Sequence, residues 1–329
     1  MTPLATDYSR ELAALLPREA FRRNPGRVAY AFAQLMIFAA SVVLARTFDG
    51  WILLPIALLA GHSLFCLALF AHELSHGAVL GPGLPRSALE LGCWGANFIS
   101  PTVWSIVHNH SHHRHANTLR DPDRRFLRRE ASTSTAIYTA LFYPHLQAPT
   151  RWNPLVLLHF VPYVLKQTAA ALLGASPFGL VPHRPDFSWR KRALVAAEVV
   201  VIAGMQLCLC RAVGGGFHYL AVGPGAVCVA SALVMTYVFT NHYGDEITPV
   251  VDALVGTTSV RVPPLIDRLH LHFSFHTEHH LFPSMDSRYF PGLSALVAER
   301  YPDRYKRLSL SRAWSRAFQQ PRFSVEARC

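Results

Sequence analysis

The sequence is short of charge. Only 16% of its 329 residues are charged, against about 25% in an ordinary soluble domain, and 51% are hydrophobic. That balance argues against a soluble globular domain and for a membrane protein. Cysteine motifs are missing too. Cys66, Cys93, Cys208, Cys210, Cys228 and Cys329 form no CxxC pair, and most lie in apolar runs. They read as packing residues, which argues against a disulfide framework or a cysteine-held zinc ion. There is no CxxCH haem attachment, no ferredoxin-like cysteine run, no GxGxxG turn and no HPGG stretch of a cytochrome b5. Any electrons used here must come from a separate carrier. Residues 1–24 carry Arg10, Arg18, Arg22 and Arg23 and lack the apolar core and cleavage site of a signal peptide. No internal repeat or low-complexity tract is visible.

What the chain does have is four apolar runs near the roughly 20 residues that cross a bilayer. They are Val28 to Ala45, Trp51 to Phe70, Ala193 to Cys210 and Phe217 to Thr240. A link of about five residues joins the first two, and Arg211 to Gly216 joins the last two, with three consecutive glycines at the turn. Links this short make two antiparallel hairpins, residues 28–48 with 51–70 and residues 193–240. Segments 1–27, 71–192 and 241–329 then share one side. They hold 29 of the 31 lysines and arginines, so the positive-inside rule makes that side cytoplasmic. The net charge of +11 is therefore mainly topology, and no nucleic-acid partner is expected. The basic face can also attract anionic lipid or an acidic electron donor. Two further apolar stretches, Ala88 to Val103 and Leu155 to Ala175, are expected to be interfacial or re-entrant. A fifth crossing would put the last histidine cluster on the opposite side, and Pro154, Pro162 and Lys166 weaken the second stretch as a span. The basic tail after Asp303 is expected to be a surface helix followed by a disordered end. The fold class is thus an all-α integral membrane domain, with four transmembrane helices in two hairpins and a cytosolic helical cap.

Histidine is in excess, at 18 residues, and much of it is clustered. His72-Glu-Leu-Ser-His76 follows the second apolar run, and residues at i and i+4 share a helix face. Alone it is also HExxH, the zinc metalloprotease pattern with Glu73 as base. The stretch from His108 to His115 holds five histidines in eight residues. Here His108 and His112 share a face, while His113 is turned from His112 by about 100° and can serve a second metal. The third cluster, His276-Thr-Glu-His279-His280, follows His270 and His272 and ends at Pro283. Three clusters on one side exceed the three or four ligands of a single zinc ion and suit two metals. Ligand type alone leaves zinc, copper, iron and nickel open. His62, His145, His159, His183 and His218 read as structural.

The spacing HxxxH, HxxxHH and HxxHH around two membrane hairpins resembles the membrane fatty acid desaturase family, over roughly residues 28 to 300. The most specific part is Val260-Arg-Val-Pro263 to Leu265, Leu271-His-Phe273 and His276 through Met285. Asn117, five residues after His112, also fits. The resemblance implies two iron ions, with O2 as co-substrate and a ferredoxin or cytochrome b5 as external donor. Carried over by position, the ligands are His72, His76, His108, His112, His113, His276, His279 and His280, with His242 as a ninth just after the fourth run. The second box departs from the commoner HxxHH because residue 109 is Asn, which leaves open whether His110 or His115 takes the place of His108. His110, His115, His272, Glu73, Asn117 and Asn241 are expected around the ligands. Asp121, Asp123 and Glu278 can orient rings through their distal N–H, although Asp121-Pro-Asp123 also reads as a plain turn.

An unactivated C–H bond has no acidic proton, so acid–base residues cannot break it and the metals must supply that chemistry. The resemblance implies desaturation of a fatty acyl chain held in an apolar tunnel. Trp94, Phe98, Trp104, Tyr237 and Phe239 are tunnel candidates or, equally, an interfacial belt. Hydroxylation or ketolation of a lipid, alkane or carotenoid uses the same superfamily frame, and His242-Tyr243-Gly244 resembles the alkane-hydroxylase branch. A zinc protease leaves two clusters unexplained. A metal transporter would carry its ligands near the bilayer midplane rather than at one surface.

Overall fold

The computed structural model describes residues 5–118, 120–123, 133–145, 153–175, 187–245 and 247–320. Cys329, His183 and the expected disordered end lie outside the described residues. The chain is mostly helical. Helix α1 (Ala5–Leu15) precedes α2 (Arg27–Thr47), and Gly50, with φ of 67°, turns the chain into α3 (Leu53–Ser75). Next come α4 (Leu84–Ala96) and α5 (Pro101–Trp104), which continues through a π-helical stretch, Ser105–His112, into α6 (His113–His115). Then follow α7 (Thr133–Phe142), α8 (Phe160–Leu173) and α9 (Trp189–Ala212). Helices α10 (Gly216–Leu220) and α11 (Ala226–Val238) are joined by a π-helical stretch, Ala221–Gly225, into one run that ends in a further wide turn, Phe239–Tyr243. The C-terminal part holds α12 (Ala253–Gly256), β1 (Ser259–Arg261), α13 (Pro264–Leu269), α14 (His276–Leu281), α15 (Phe290–Arg300), β2 (Arg307–Ser309) and α16 (Leu310–Phe318).

Four stretches are long and apolar enough to cross a membrane: Arg27–Thr47, Gly50–Ser75, Trp189–Ala212 and Gly216–Tyr243. The shortest, at 21 residues, spans about 31 Å at 1.5 Å per residue, matching a hydrocarbon core of about 30 Å. All four run past the apolar stretches seen in the sequence, the second by five residues and the fourth by three at the C-terminal end. As a result, His72 and His242 sit on the last turns of the second and fourth. Neither ambiguous stretch forms a helix long enough to be a candidate span. Asn97 to Ser100 breaks the first between α4 and α5, and α8, with 14 residues, covers only about 21 Å.

Helix α3 is the hub. It packs against α2, α4 and α11, whereas α9 packs against α4, α5 and α8. Helices α2 and α9 leave large apolar side chains exposed, among them Phe32, Met36, Val43, Leu194 and Val200. An all-round apolar helix with such a face is a lipid-facing helix. The approach of α3 to α11 depends on Gly61: a Cβ there would collide with Val229 Cβ and lie 2.6 Å from the Ala226 carbonyl oxygen. Membrane helices use small residues for such close contacts. Gly61→Ala should therefore cost at least about 2 kcal/mol through overpacking. Gly92→Ala and Gly204→Ala, where a Cβ meets nothing within 4 Å, should be harmless. Thermal unfolding in detergent reads the difference, and equal midpoints for all three would refute it.

Two contacts position the second histidine segment. The Glu198 carboxylate of α9 accepts from the Thr102 hydroxyl (2.7 Å), the Thr102 N–H (3.2 Å) and the Ser100 hydroxyl at the start of α5. A carboxylate satisfies and complements a helix N-terminus. Trp94 and Trp104 then pack with ring centroids 4.2 Å apart. The third segment rests on a smaller core beneath it, built from Tyr8 and Leu12 of α1, Leu254, Leu281 and Leu293. One feature lies outside the all-helical expectation. Strands β1 and β2 pair in parallel, Ser259 with Arg307 and Arg261 with Ser309, tying the chain after α15 to the approach of α13.

Candidate metal centre

Three elements deliver imidazoles to one place: the end of α3, the π-helical stretch continuing into α6, and α14. The wide turn after α11 adds His242. The nine rings fall into two groups. His72, His76, His108, His113 and His279 form one, and His112, His242, His276 and His280 form the other. Within each group one ring nitrogen per residue lies within 4.8 Å of all the others. Neighbours in sequence are split between the groups. His112 and His113 part, as do His279 and His280, because adjacent helical positions point in different directions. The i→i+5 turns of a π-helix are rare and often mark functional sites, and here two such stretches carry ligand candidates.

The ring nitrogens converge at distances that metal coordination also sets. Nε2 of His72 is 3.0 Å from Nε2 of His108, and Nε2 of His113 is 3.2 Å from that of His279. In the other group, His276 Nε2 lies 2.5 Å from His242 Nε2 and 3.1 Å from His280 Nε2. Donors bound to one ion at about 2.1 Å sit roughly 3.0–3.4 Å apart on neighbouring coordination positions. His76 Nε2 and His276 Nδ1 are buried and have no hydrogen-bond partner among the described residues. The donor set therefore fits two metal ions. Burial, and then the proximity of the other rings, holds His108, His113, His276, His279 and His280 well below the usual histidine range. They are neutral and carry the lone pairs that a metal needs.

His112 is the exception. Burial alone would lower it, but Asp121 and Asp123 outweigh burial and push it up to about 9. Asp121 Oδ1 accepts from His112 Nδ1 at 2.8 Å, and Asp123 Oδ2 lies at 3.3 Å. This leaves Nε2 to face the cluster. The turn reading of these aspartates holds as well, since the Asp123 N–H donates to Asp121 Oδ1 at 2.9 Å. Asn117, left-handed at φ of 57°, donates its N–H to Asp121 Oδ2 at 2.7 Å. Asn117 thus acts on the carboxylate that holds His112. His242 also has a main-chain neighbour. Its Nδ1 lies 3.3 Å from the carbonyl oxygen of Gly256, a main-chain acceptor that no residue type announces.

The other expected neighbours sit elsewhere. His110 is exposed, with Nδ1 on the Ser105 carbonyl at 2.8 Å, so it is His108 that enters the cluster. His115 joins neither group. His272 faces Asp267 at 3.3 Å. Glu73 accepts from Ser287 and pairs with Arg27 at 3.5 Å. Glu278, raised by burial, accepts from Ser259 at 2.6 Å and from Tyr305, and so anchors α14 rather than orienting a ring. The Asn241 side chain is fully buried beside His242 and finds no partner among the described residues.

Both groups open on one cavity. His72 and His108 line it from one group, and His112, His242 and His276 from the other. Most of the remaining wall is apolar, with Leu69, Trp94, Trp104, Phe160, Val234 and Phe239. His159, expected to be structural, lines it too. Of the tunnel candidates, Phe98 and Tyr237 are not in its wall. Phe98 occupies the left-handed break after α4, and the Tyr237 hydroxyl faces His270 Nδ1 at 2.9 Å.

The family model for fatty acid desaturase matches residues 49–311. The chain belongs to the fatty acid desaturase family. No curated protein matches it. All three histidine segments and His242 fall inside the matched range. Family membership makes this desaturase-family chain an oxidoreductase, and its four apolar helices make it a multi-pass membrane protein.

Proposed function

We propose that the protein desaturates a fatty acyl chain, using O2, electrons from an external ferredoxin or cytochrome b5, and two iron ions. His72, His76, His108, His113 and His279 would hold one ion, and His112, His242, His276 and His280 the other. The observation that carries this reading is an apolar cavity whose wall includes rings from both groups. When bound, the irons supply the oxidising power that no side chain has. The balance closes: the acyl chain gives up two hydrogen atoms, which are two electrons and two protons, the external donor and solvent give two electrons and two protons, and O2 ends as two waters. The protein's own part is positional. Leu69, Phe160 and Val234 hold an aliphatic chain and exclude water, while Asp121 fixes the His112 ring. The two-hairpin topology, with the centre on the cytoplasmic side, is supported by the one-sided basic residues and by the placement of His72 and His242 at helix ends. Against a zinc protease, Glu73 is engaged with Ser287 and Arg27.

Lipid profiling of a host expressing the chain beside His276→Ala and His112→Ala tests the proposal. New unsaturated acyl chains, lost in both variants, are expected. An oxygen-bearing lipid instead would move the reading to the hydroxylase branch. No new product, with a competent donor present and two irons bound, would sink the acyl substrate and point to alkanes or carotenoids.

A further inference from the structure

We propose that residues 261–270 form a re-entrant element whose apolar tip inserts into the bilayer beside the four spans. The tip is Pro263, Pro264, Leu265 and Ile266, all exposed, with Leu265 at 76%. Four consecutive apolar residues facing outward would be a liability in water and are at home in hydrocarbon. Arg261 and Arg268 bracket the tip. Both are exposed, and neither makes an ion pair among the described residues. Long cationic side chains on either side of an apolar segment can reach the headgroups while their stems stay in the apolar layer.

The inner face of the element shows where it sits. The Tyr30 hydroxyl of α2 donates to the Leu269 carbonyl at 2.7 Å. His270 meets the Tyr237 hydroxyl of α11 at 2.9 Å and His62 Nε2 of α3 at 3.3 Å. Its ring also stands edge-on to Phe65, with centroids 4.8 Å apart. Phe65 precedes His72 by seven residues on α3, so His270 lies about 10 Å toward the bilayer centre from the metal centre. Three of the four spans thus hold the element at a depth where its outer face meets lipid. The side chains packed against His270 are apolar or neutral, with Asp267, itself bonded to Ser274 at 2.6 Å, as the nearby acid. Helix α13 satisfies most of the element's backbone, and the residues outside it are tolerated at that depth because this inner face is buried in protein.

The inference does not depend on the chemistry at the metal centre, and neither does its test. Leu265→Cys and, separately, Asp303→Cys are made in the full chain and placed in phosphatidylethanolamine–phosphatidylglycerol nanodiscs. Asp303 is exposed just beyond α15. A membrane-impermeant maleimide is added, and labelling is read peptide by peptide so that native cysteines are scored apart. Leu265 is too exposed for the protein itself to shield a thiol placed there. The thiol of Leu265→Cys should react at least about tenfold more slowly than that of Asp303→Cys, as expected for a group in hydrocarbon. Ile266→Cys should be as slow as Leu265→Cys. Equal rates for all three variants would overturn the proposal and put the element in water.

Discussion

Replacing His112 with alanine should leave the protein with about one bound metal ion in place of two, and turnover should fall by more than the 10–100-fold typical of an outer-shell change. His113→Ala should also abolish turnover but keep more of its metal. The two rings are adjacent in sequence yet belong to different groups. His112 is one of four donors, with His242, His276 and His280. Without it three remain, and the carboxylate pair behind it has no ring to orient. His113 is one of five, and its loss leaves His72, His76, His108 and His279 in place. Metal per chain, measured by elemental mass spectrometry after desalting, should therefore fall further in the His112 variant. Retention of two ions by His112→Ala would refute the assignment. So would equal loss of both ions from both variants, because the groups would then not be separate sites.

Much of this centre is legible in the sequence because the helix is a regular object. A spacing of four residues puts His72 with His76 and His276 with His280, and the turn per residue parts His112 from His113 and His279 from His280. The expected pairing of His108 with His112 fails, because the wider turn of the π-helical stretch aligns His108 with His113 instead. Length and apolarity are similarly local properties, which is why the four spans can be read to within a few residues. What cannot be read is whatever comes from far along the chain or from the backbone. Ser100 and Glu198 are 98 residues apart, and nothing in either residue's surroundings foretells their contact. The acceptor for His242 is a main-chain oxygen. The β1–β2 pairing joins two segments of three residues each, too short to show a strand pattern. The expected roles of Glu73 and Glu278 illustrate the converse problem. Both sit beside ligand histidines in sequence, but adjacent helical positions diverge, and their carboxylates point to Ser287 and to Ser259 and Tyr305. Asp121, nine residues from His112, is brought to it by the left-handed turn at Asn117.

Asp121→Asn is expected to weaken metal binding at the His112 group by about 10–100-fold while leaving the His72 group loaded. Asp121 is fully buried and accepts three hydrogen bonds, from His112 Nδ1, the Asn117 N–H and the Asp123 N–H. An asparagine has one carbonyl oxygen for these donors, and its NH2 group is a donor itself. Turned toward the ring, that NH2 would favour the tautomer with its proton on Nε2, the nitrogen that faces the cluster. The charge matters as well. Without the Asp121 carboxylate, burial regains weight and His112 should fall from its raised value of about 9. In the metal-free wild type His112 is protonated at neutral pH, so metal must displace that proton and uptake should weaken as pH falls below about 9. In the variant this part of the pH dependence should shift to lower pH. The two effects are opposed in sign, one costing affinity through the tautomer and the other easing proton release, so a chelator competition across pH 6 to about 9 separates them. Asp123→Asn should show less of both, since Asp123 lies 3.3 Å from the ring and its side chain is 22% exposed. An Asp121→Asn protein that holds two ions at every pH with wild-type affinity would show that the carboxylate serves the turn alone.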